Sequence, residues 1–204
     1  MPQSRNVAIL IFDDVEVLDF AGPFEVFSVT GRRDGSDPFN VYLVAEQTKP
    51  VQARNQFTVL PHYTLENCPL PDLVVIPGGF GTRREMHNQI ILDWVKHQSQ
   101  QVELLLSVCT GALILAKAEL LNGHSVTTHH GAIDALREAA PQSHVHSEER
   151  VVDNGKVILS GGISAGIDMS LHAVAKLLGK EQAIETATYM EYDWRDQVLT
   201  AKIN

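Results

Sequence analysis

The sequence lacks the features that mark nucleic-acid-binding and membrane proteins. It has 16 Lys and Arg residues against 25 Asp and Glu among 204 residues, a formal charge of −9, and the basic residues form no dense cluster. Surfaces that bind a phosphate backbone need such clusters, so no nucleic-acid partner is expected. No apolar run reaches the length of a membrane span, so no membrane partner is expected either.

Cysteine is also scarce. The two cysteines, Cys68 and Cys109, are too few for a disulfide framework. The N-terminal apolar run at 7–12 is too short for a signal peptide. We therefore expect a cytoplasmic protein with reduced thiols. Repeats, linkers and low-complexity tracts are missing, so residues 1–204 are expected to form one domain.

What the sequence does contain is an alternation of strand-like and helix-like segments. Apolar runs typical of strands buried on both faces occur at 7–12, 40–45, 73–76 and 104–107. Helices are predicted at 23–30, 88–100, directly after Cys109, and at 133–139, 164–178 and 181–190. Shorter strands are predicted within 51–60, at 125–128, and as a hairpin within 150–160. This order predicts an α/β fold, with a mostly parallel sheet and helices on both faces.

Open parallel sheets bind ligands beyond the carboxyl ends of their strands. The residues of chemical interest follow predicted strands: Asp19, Gly78, Gly79, Cys109, His129, His130 and Gly161. Because these strand ends share one edge of the sheet, we expect the residues to meet there.

Cys109 is the leading candidate for a nucleophile. It lies in Ser107-Val108-Cys109-Thr110-Gly111, where a buried strand turns into a helix, as in a nucleophile elbow. Such a turn predicts sparsely populated backbone angles at Cys109. The helix N-terminus favours negative charge, which predicts a thiolate at neutral pH. The alternative is a small buried apolar side chain, a common role of free cysteine.

Two neighbouring motifs each allow two interpretations. Asp19 lies between apolar residues just before the predicted helix, either as its N-cap or as a carboxyl group that faces the thiol. The run Pro77-Gly78-Gly79-Phe80-Gly81 is either a plain turn or a close backbone approach to a substrate oxygen. Its glycines have neither the spacing of a dinucleotide-binding motif nor that of a P-loop.

Two other sites are weakly indicated. Gly162-Ile163-Ser164-Ala165-Gly166 is formally G-x-S-x-G, but the only later histidine, His172, lies on the same predicted helix, so we interpret Ser164 as an N-cap. His144 and His146, with His129 and His130, lack the spacing of an established metal site, and no metal is expected.

Four motifs together resemble the ThiJ/PfpI superfamily, which has a class I glutamine-amidotransferase-like, flavodoxin-like fold. They are LDFAGPFEVF, DLVVIPGGFGTR, LLLSVCTGALILAKAELLNGHSVTTHH and ILSGGISAGIDMSLHAVAKLLG. Their order covers nearly the whole chain and is most similar to the isonitrile (isocyanide) hydratase-like branch.

The resemblance implies roles for matching positions. Cys109 matches the nucleophile and Asp19 the acidic residue that contacts it. Gly79 and Thr110 match the neighbourhood of the oxyanion-binding amides, and Gly161 a position beside the thiol. These assignments depend on motif position alone.

The histidines and the acid distinguish this chain from some relatives. His129 matches a third catalytic group of some relatives, and His130 stands where the hydratases tend to carry tryptophan. Deglycase and glyoxalase relatives have Glu at the position of Asp19, which argues against their activity. Peptidase relatives have histidine after the cysteine, where this chain has Thr110.

The implied reaction is covalent hydration of an isocyanide to an N-substituted formamide, with Cys109 as nucleophile and Asp19 as general acid. It needs a small-molecule substrate and no cofactor, and the resemblance also implies a homodimer. Two alternatives stay open. One is a non-catalytic ligand- or redox-sensing domain related to the N-terminal half of AraC-type regulators, and the other is glyoxalase- or deglycase-like activity.

Overall fold

The computed structural model describes residues 4–33, 35–194 and 196–201. Its strands are β1 (Arg5–Leu10), β2 (Phe39–Ala45), β3 (Val51–Gln52), β4 (Thr58–Val59), β5 (Tyr63–Thr64), β6 (Leu73–Ile76), β7 (Leu104–Val108), β8 (Ser125–Val126), β9 (His144–Val145), β10 (Val151–Asp153), β11 (Val157–Ser160) and β12 (Leu199–Thr200). Its α-helices are α1 (Val17–Val29), α2 (Thr82–Glu85), α3 (Gln89–Gln101), α4 (Gly111–Lys117), α5 (Ile133–Ala139), α6 (Ala165–Leu178) and α7 (Lys180–Tyr189).

Eight strands form the central sheet in the order β12-β10-β11-β7-β6-β1-β2-β5. Among the described strands of this sheet, β10 and β11 pair antiparallel and the other neighbours pair parallel. The predicted mostly parallel α/β fold is confirmed. The chain moves from β1 to β2 on one side and then to β6 on the other. The switch point in strand order therefore lies between β1 and β6, where open sheets bind ligands.

The central strands lie in the core, and every residue of β6 and β7 is buried. Helices α1, α6 and α7 contact one another, as do α3 and α4, and α4 and α5. Burial of both pleat faces of β6 and β7 requires covering layers on both sides of the sheet. Within the described part of the chain, no helix combines the length and apolarity needed to cross a membrane.

The first helix differs from its prediction. Helix α1 begins at Val17, six residues before the predicted start, and Pro23 lies inside it. Phe20, Pro23 and Phe27 are all buried, at the three- and four-residue spacing of one helix face. Packing of this face offsets the backbone hydrogen bond that a proline removes from a helix interior.

Candidate active site

Cys109 lies on a strained turn between β7 and α4. Its φ is +57°, in the left-handed region that a residue with a Cβ rarely adopts. The Cys109 N–H donates to the carbonyls of Ser160 and Gly161, at 3.2 and 3.0 Å, and Thr128 Oγ1 donates to the Cys109 carbonyl at 2.7 Å. The predicted strain is confirmed, and hydrogen bonds from two other segments hold it in place.

Asp19 lies inside helix α1 and does not cap it. The N-cap position is Glu16, and Asp19 is in the first turn, fully buried. Its Oδ2 accepts the Gly78 N–H at 3.0 Å, while Oδ1 is buried without a hydrogen-bond partner among the described residues. The N-cap interpretation is therefore wrong. The carboxyl group is held beside the thiol instead.

Burial raises the pKa of Asp19 to about 7. The Gly78 N–H, the Cys109 thiol and the Ile163 N–H favour the carboxylate but only partly offset the burial, and the charge of Glu16 acts against the carboxylate. A carboxyl group with this pKa both takes up and releases a proton near neutral pH, which is what proton transfer in a catalytic site requires.

The structure argues against the prediction that Cys109 is a thiolate at neutral pH. Burial first, and the nearby Asp19 charge second, raise the pKa of Cys109 to about 12. The N–H groups of Thr110 and Ile163 favour the thiolate, yet they do not outweigh the loss of solvent. Burial affects the thiol more strongly than the helix N-terminus on which the thiolate prediction was based. At neutral pH the proton that the two groups share is therefore held mainly by sulfur.

The N–H groups of Gly78 and Gly79 already donate hydrogen bonds to side chains of the protein. Gly78 N–H donates to Asp19, and Gly79 N–H donates to Thr110 Oγ1 at 3.0 Å. Thr82 Oγ1 lies 3.0 Å from the same Thr110 hydroxyl. Both N–H groups therefore hold side chains of the site in position. This argues against the oxyanion-binding role that was expected for them. A Cβ on Gly78 would lie 2.5 Å from the Thr110 nitrogen, so this backbone packs closely against the Cys109 turn. The predicted approach to a substrate oxygen stays a prediction.

Ile163 is a site residue that the sequence reasoning missed. It has a φ of +54°, an outlier for a β-branched side chain, and it directly precedes the N-cap of α6. Its N–H favours the charged form of both Asp19 and Cys109. Two preceding glycines were the only signal of an irregular turn at this point.

His129 and His130 form a ring pair at the same sheet edge. Their ring centroids are 4.1 Å apart, and His129 Nδ1 accepts the Gly131 N–H at 3.1 Å. A Cβ on Gly162 would lie 2.2 Å from His129 Cδ2, so Gly162 is needed for the ring to pack there. Burial lowers the pKa of His129, and His130 and Arg83 lower it further, which favours a neutral ring.

The side chains of the two competing sites make other contacts. Ser164 occupies the N-cap position of α6, but its side chain makes no capping bond and lies 3.3 Å from Arg150 Nη2. His172 Nε2 lies 2.8 Å from Asp153 Oδ2. Across the described residues, no group of three or more His, Cys, Asp or Glu side chains is arranged to hold a metal ion.

Two further features lie outside the centre. Cys68 is half-buried, with its sulfur 3.8 Å from the Leu65 carbonyl oxygen. A cavity of about 350 Å³ is lined by Ile11, Phe12, Ala45 and Ile91, among others, and neither Cys109 nor Asp19 lines it.

Comparison with known proteins agrees with this geometry. A sequence model of the DJ-1/PfpI family matches residues 5–176. The chain belongs to the DJ-1/PfpI family. The resemblance to ThiJ/PfpI proteins is thus confirmed.

Individual DJ-1/PfpI relatives differ in activity. Isonitrile hydratase of Pseudomonas putida is 33% identical over 187 residues, which cover 92% of this chain and 78% of the relative. The HTH-type transcriptional regulator GbdR of Pseudomonas aeruginosa is 26% identical over 195 residues, 94% of this chain but 53% of the regulator. The chain thus spans about half the length of the regulator.

A solved structure supports the fold. The crystal structure of a ThiJ/PfpI family protein from Pseudomonas syringae superposes with a TM-score of 0.84 at 28% identity, covering 95% of this chain and 77% of that one.

Proposed function

We propose that this protein is a cysteine-dependent hydratase that converts an isocyanide to an N-substituted formamide. The observation that carries the proposal is the buried Asp19 carboxyl group beside the thiol of the strained Cys109. Similarity to the isonitrile hydratase of Pseudomonas putida supports the choice of substrate class. The site is proposed to act on small molecules.

In the first step, ionised Asp19 takes the Cys109 proton while sulfur bonds to the isocyanide carbon. Charge that builds on sulfur is stabilised by the Thr110 and Ile163 N–H groups. Asp19 then delivers the same proton to the carbon, which gives a thioimidate. No group leaves, so the adduct contains every atom of the isocyanide.

In the second step, water attacks the thioimidate carbon and Asp19 accepts one of the water protons. Collapse breaks the carbon–sulfur bond and returns a proton to sulfur, while nitrogen carries the other. The product is the formamide, and the Cys109–Asp19 pair is left with one proton, as at the start.

Incubation with an aryl isocyanide, followed by chromatographic detection of the formamide, tests the proposal. Wild type and Cys68→Ser are expected to form product, and Cys109→Ser is not. Acid quenching during turnover is expected to leave a fraction of the protein heavier by the mass of one whole isocyanide, on the peptide that contains Cys109. Formamide production by Cys109→Ser at the wild-type rate would refute covalent catalysis.

A non-catalytic sensor is the second candidate, because the regulator GbdR matches nearly the whole of this chain. In that case Cys109 binds or reports a ligand, or is oxidised, without turnover. Absence of formamide from a panel of alkyl and aryl isocyanides, together with ligand-dependent protection of Cys109 from alkylation, would favour the sensor. Lactate formation from methylglyoxal tests the glyoxalase alternative in the same samples.

A further inference from the structure

Arg83, on α2, is an exposed basic residue bound to the loop that contacts the Cys109 turn, although the protein as a whole has a formal charge of −9. Its Nη1 donates to the Gly79 carbonyl at 3.2 Å, and the Gly79 N–H donates to Thr110, the neighbour of Cys109. The guanidinium is therefore held at Gly79, whose N–H binds the threonine next to Cys109.

An exposed aromatic ring supports this guanidinium. Arg83 Cζ lies 5.3 Å from the Phe80 ring centroid, and Arg54 Cζ lies 5.7 Å from the same centroid. Phe80 is 64% exposed, so the ring and its two cations border solvent. A cation–π contact restricts the guanidinium without neutralising its charge.

The charge of Arg83 is not balanced by an ion pair. Within the described ranges, no Asp or Glu oxygen lies within 4.0 Å of its guanidinium, and Arg54 has one distant partner, Asp14, at 3.9 Å. The charge of Glu16 raises the pKa of both Asp19 and His129, so this acidic residue lies near the same region. An arginine that is fixed in position and keeps its charge is suited to bind a carboxylate.

The His129–His130 pair lies near the same turn. His129 packs on Gly162, and the adjacent Gly161 carbonyl accepts the Cys109 N–H. Arg83 is close enough to contribute to the lowered pKa of His129. Arg83 and the His129–His130 pair therefore both lie close to the Cys109 turn.

We infer that Arg83 is a specificity-determining residue that favours small electrophiles carrying a carboxylate, which it binds while Cys109 attacks the electrophilic carbon. The nature of the electrophile rests on the proposed hydratase function. The preference for an anion does not rest on that function, because it depends only on the position and charge of Arg83.

A test that requires no turnover compares two alkylating reagents. Iodoacetate and iodoacetamide offer the same carbon and the same leaving group, but only iodoacetate carries a carboxylate. Alkylation of Cys109 is measured by mass spectrometry in the Cys68→Ser background. Arg83→Gln is expected to lower the iodoacetate-to-iodoacetamide rate ratio about fivefold, and Arg83→Lys to lower it less.

Arg32→Gln is the matched control. It makes the same change in net charge just beyond the C-terminal end of α1, roughly 20 Å from Asp19 along the helix axis. Its rate ratio is expected to stay at the wild-type value. An unchanged ratio in Arg83→Gln, or an equal fall in Arg32→Gln, would overturn the inference.

A second measurement joins the inference to the proposed reaction. With 4-isocyanobenzoate and its methyl ester as substrates, wild type is expected to show the lower KM for the acid, and Arg83→Gln to lose that difference. If neither compound is hydrated, the proposed function fails, while the alkylation ratio still decides the role of Arg83. A lower KM for the ester in wild type would count against anion selection.

Discussion

Asp19 and Cys109 occupy a buried position in which ionisation of either side chain is unfavourable. Burial raises the pKa of both, to about 7 for Asp19 and about 12 for Cys109. Between these values the pair holds one proton, which is the form that the proposed mechanism requires. Below the lower value both groups are protonated, and no base is left to accept the thiol proton.

The rate of hydration is therefore expected to depend on pH through Asp19. The value of kcat/KM should fall about tenfold per pH unit below about pH 7 and reach a plateau above it, because only the pair with a single proton reacts. Initial rates from about pH 5 to about pH 9 measure this profile. A flat profile across this range would mean that Asp19 does not control the reaction.

The same carboxyl group is expected to destabilise the fold. Since the pKa of Asp19 in the folded protein lies above its ordinary value of 3.8, its unfavourable contribution grows as pH rises from about 4 to about 7. Asp19→Asn, whose Oδ1 can still accept the Gly78 N–H, should raise the free energy of unfolding at pH 8 by roughly 2–4 kcal/mol and have little effect at pH 4.

Urea unfolding at both pH values measures this difference, and the exposed Asp134→Asn is the matched control. Hydration by Asp19→Asn should be lost in the same preparations, as expected where a functional site reduces stability. Equal stability of Asp19→Asn and wild type at pH 8 would contradict the buried-charge account.

At the scale of the elements, the site depends on how closely α4 approaches the end of β6. A Cβ on Gly111, the first residue of α4, would lie 2.1 Å from the Ile76 carbonyl oxygen. That oxygen belongs to the buried backbone of a central strand and cannot move without disturbing the sheet. The helix that follows Cys109 can therefore begin at this point only with glycine.

Gly111→Ala is expected to lower the free energy of unfolding by roughly 2–4 kcal/mol, because overpacking against backbone forces α4 away from the sheet. Gly161→Ala is the comparison, since the nearest heavy atom to its added Cβ would be 3.8 Å away. Thermal unfolding of both variants measures the difference. A loss of stability in Gly161→Ala as large as in Gly111→Ala would show that close packing is not the cause.

At the scale of the whole molecule, the homodimer implied by the resemblance stays a prediction. Several large apolar side chains are exposed, among them Phe57 and Leu60 beside the short β3–β4 hairpin. We expect light scattering at micromolar concentration to give twice the mass of one chain. A mass of one chain at that concentration would contradict the prediction.

Local sequence patterns were enough to predict several features of this protein. Continuous apolar runs predicted the central strands, and their alternation with helices predicted the parallel sheet. The short strand-to-helix transition at Cys109 predicted its strained angles, and the ends of the strands predicted which residues would meet. Each of these predictions starts from residues that are close together along the chain.

The arrangement of the site depends on contacts that form only in the folded protein. The early start of α1, the contact between Asp19 and Gly78, and the Ile163 N–H beside the thiol join segments far apart in sequence. Helix-terminus reasoning predicted a lowered pKa for Cys109, whereas burial by the surrounding layers raised it. The free energy of a charge depends on the solvent and the dipoles that surround it in three dimensions, and the local sequence does not contain that information.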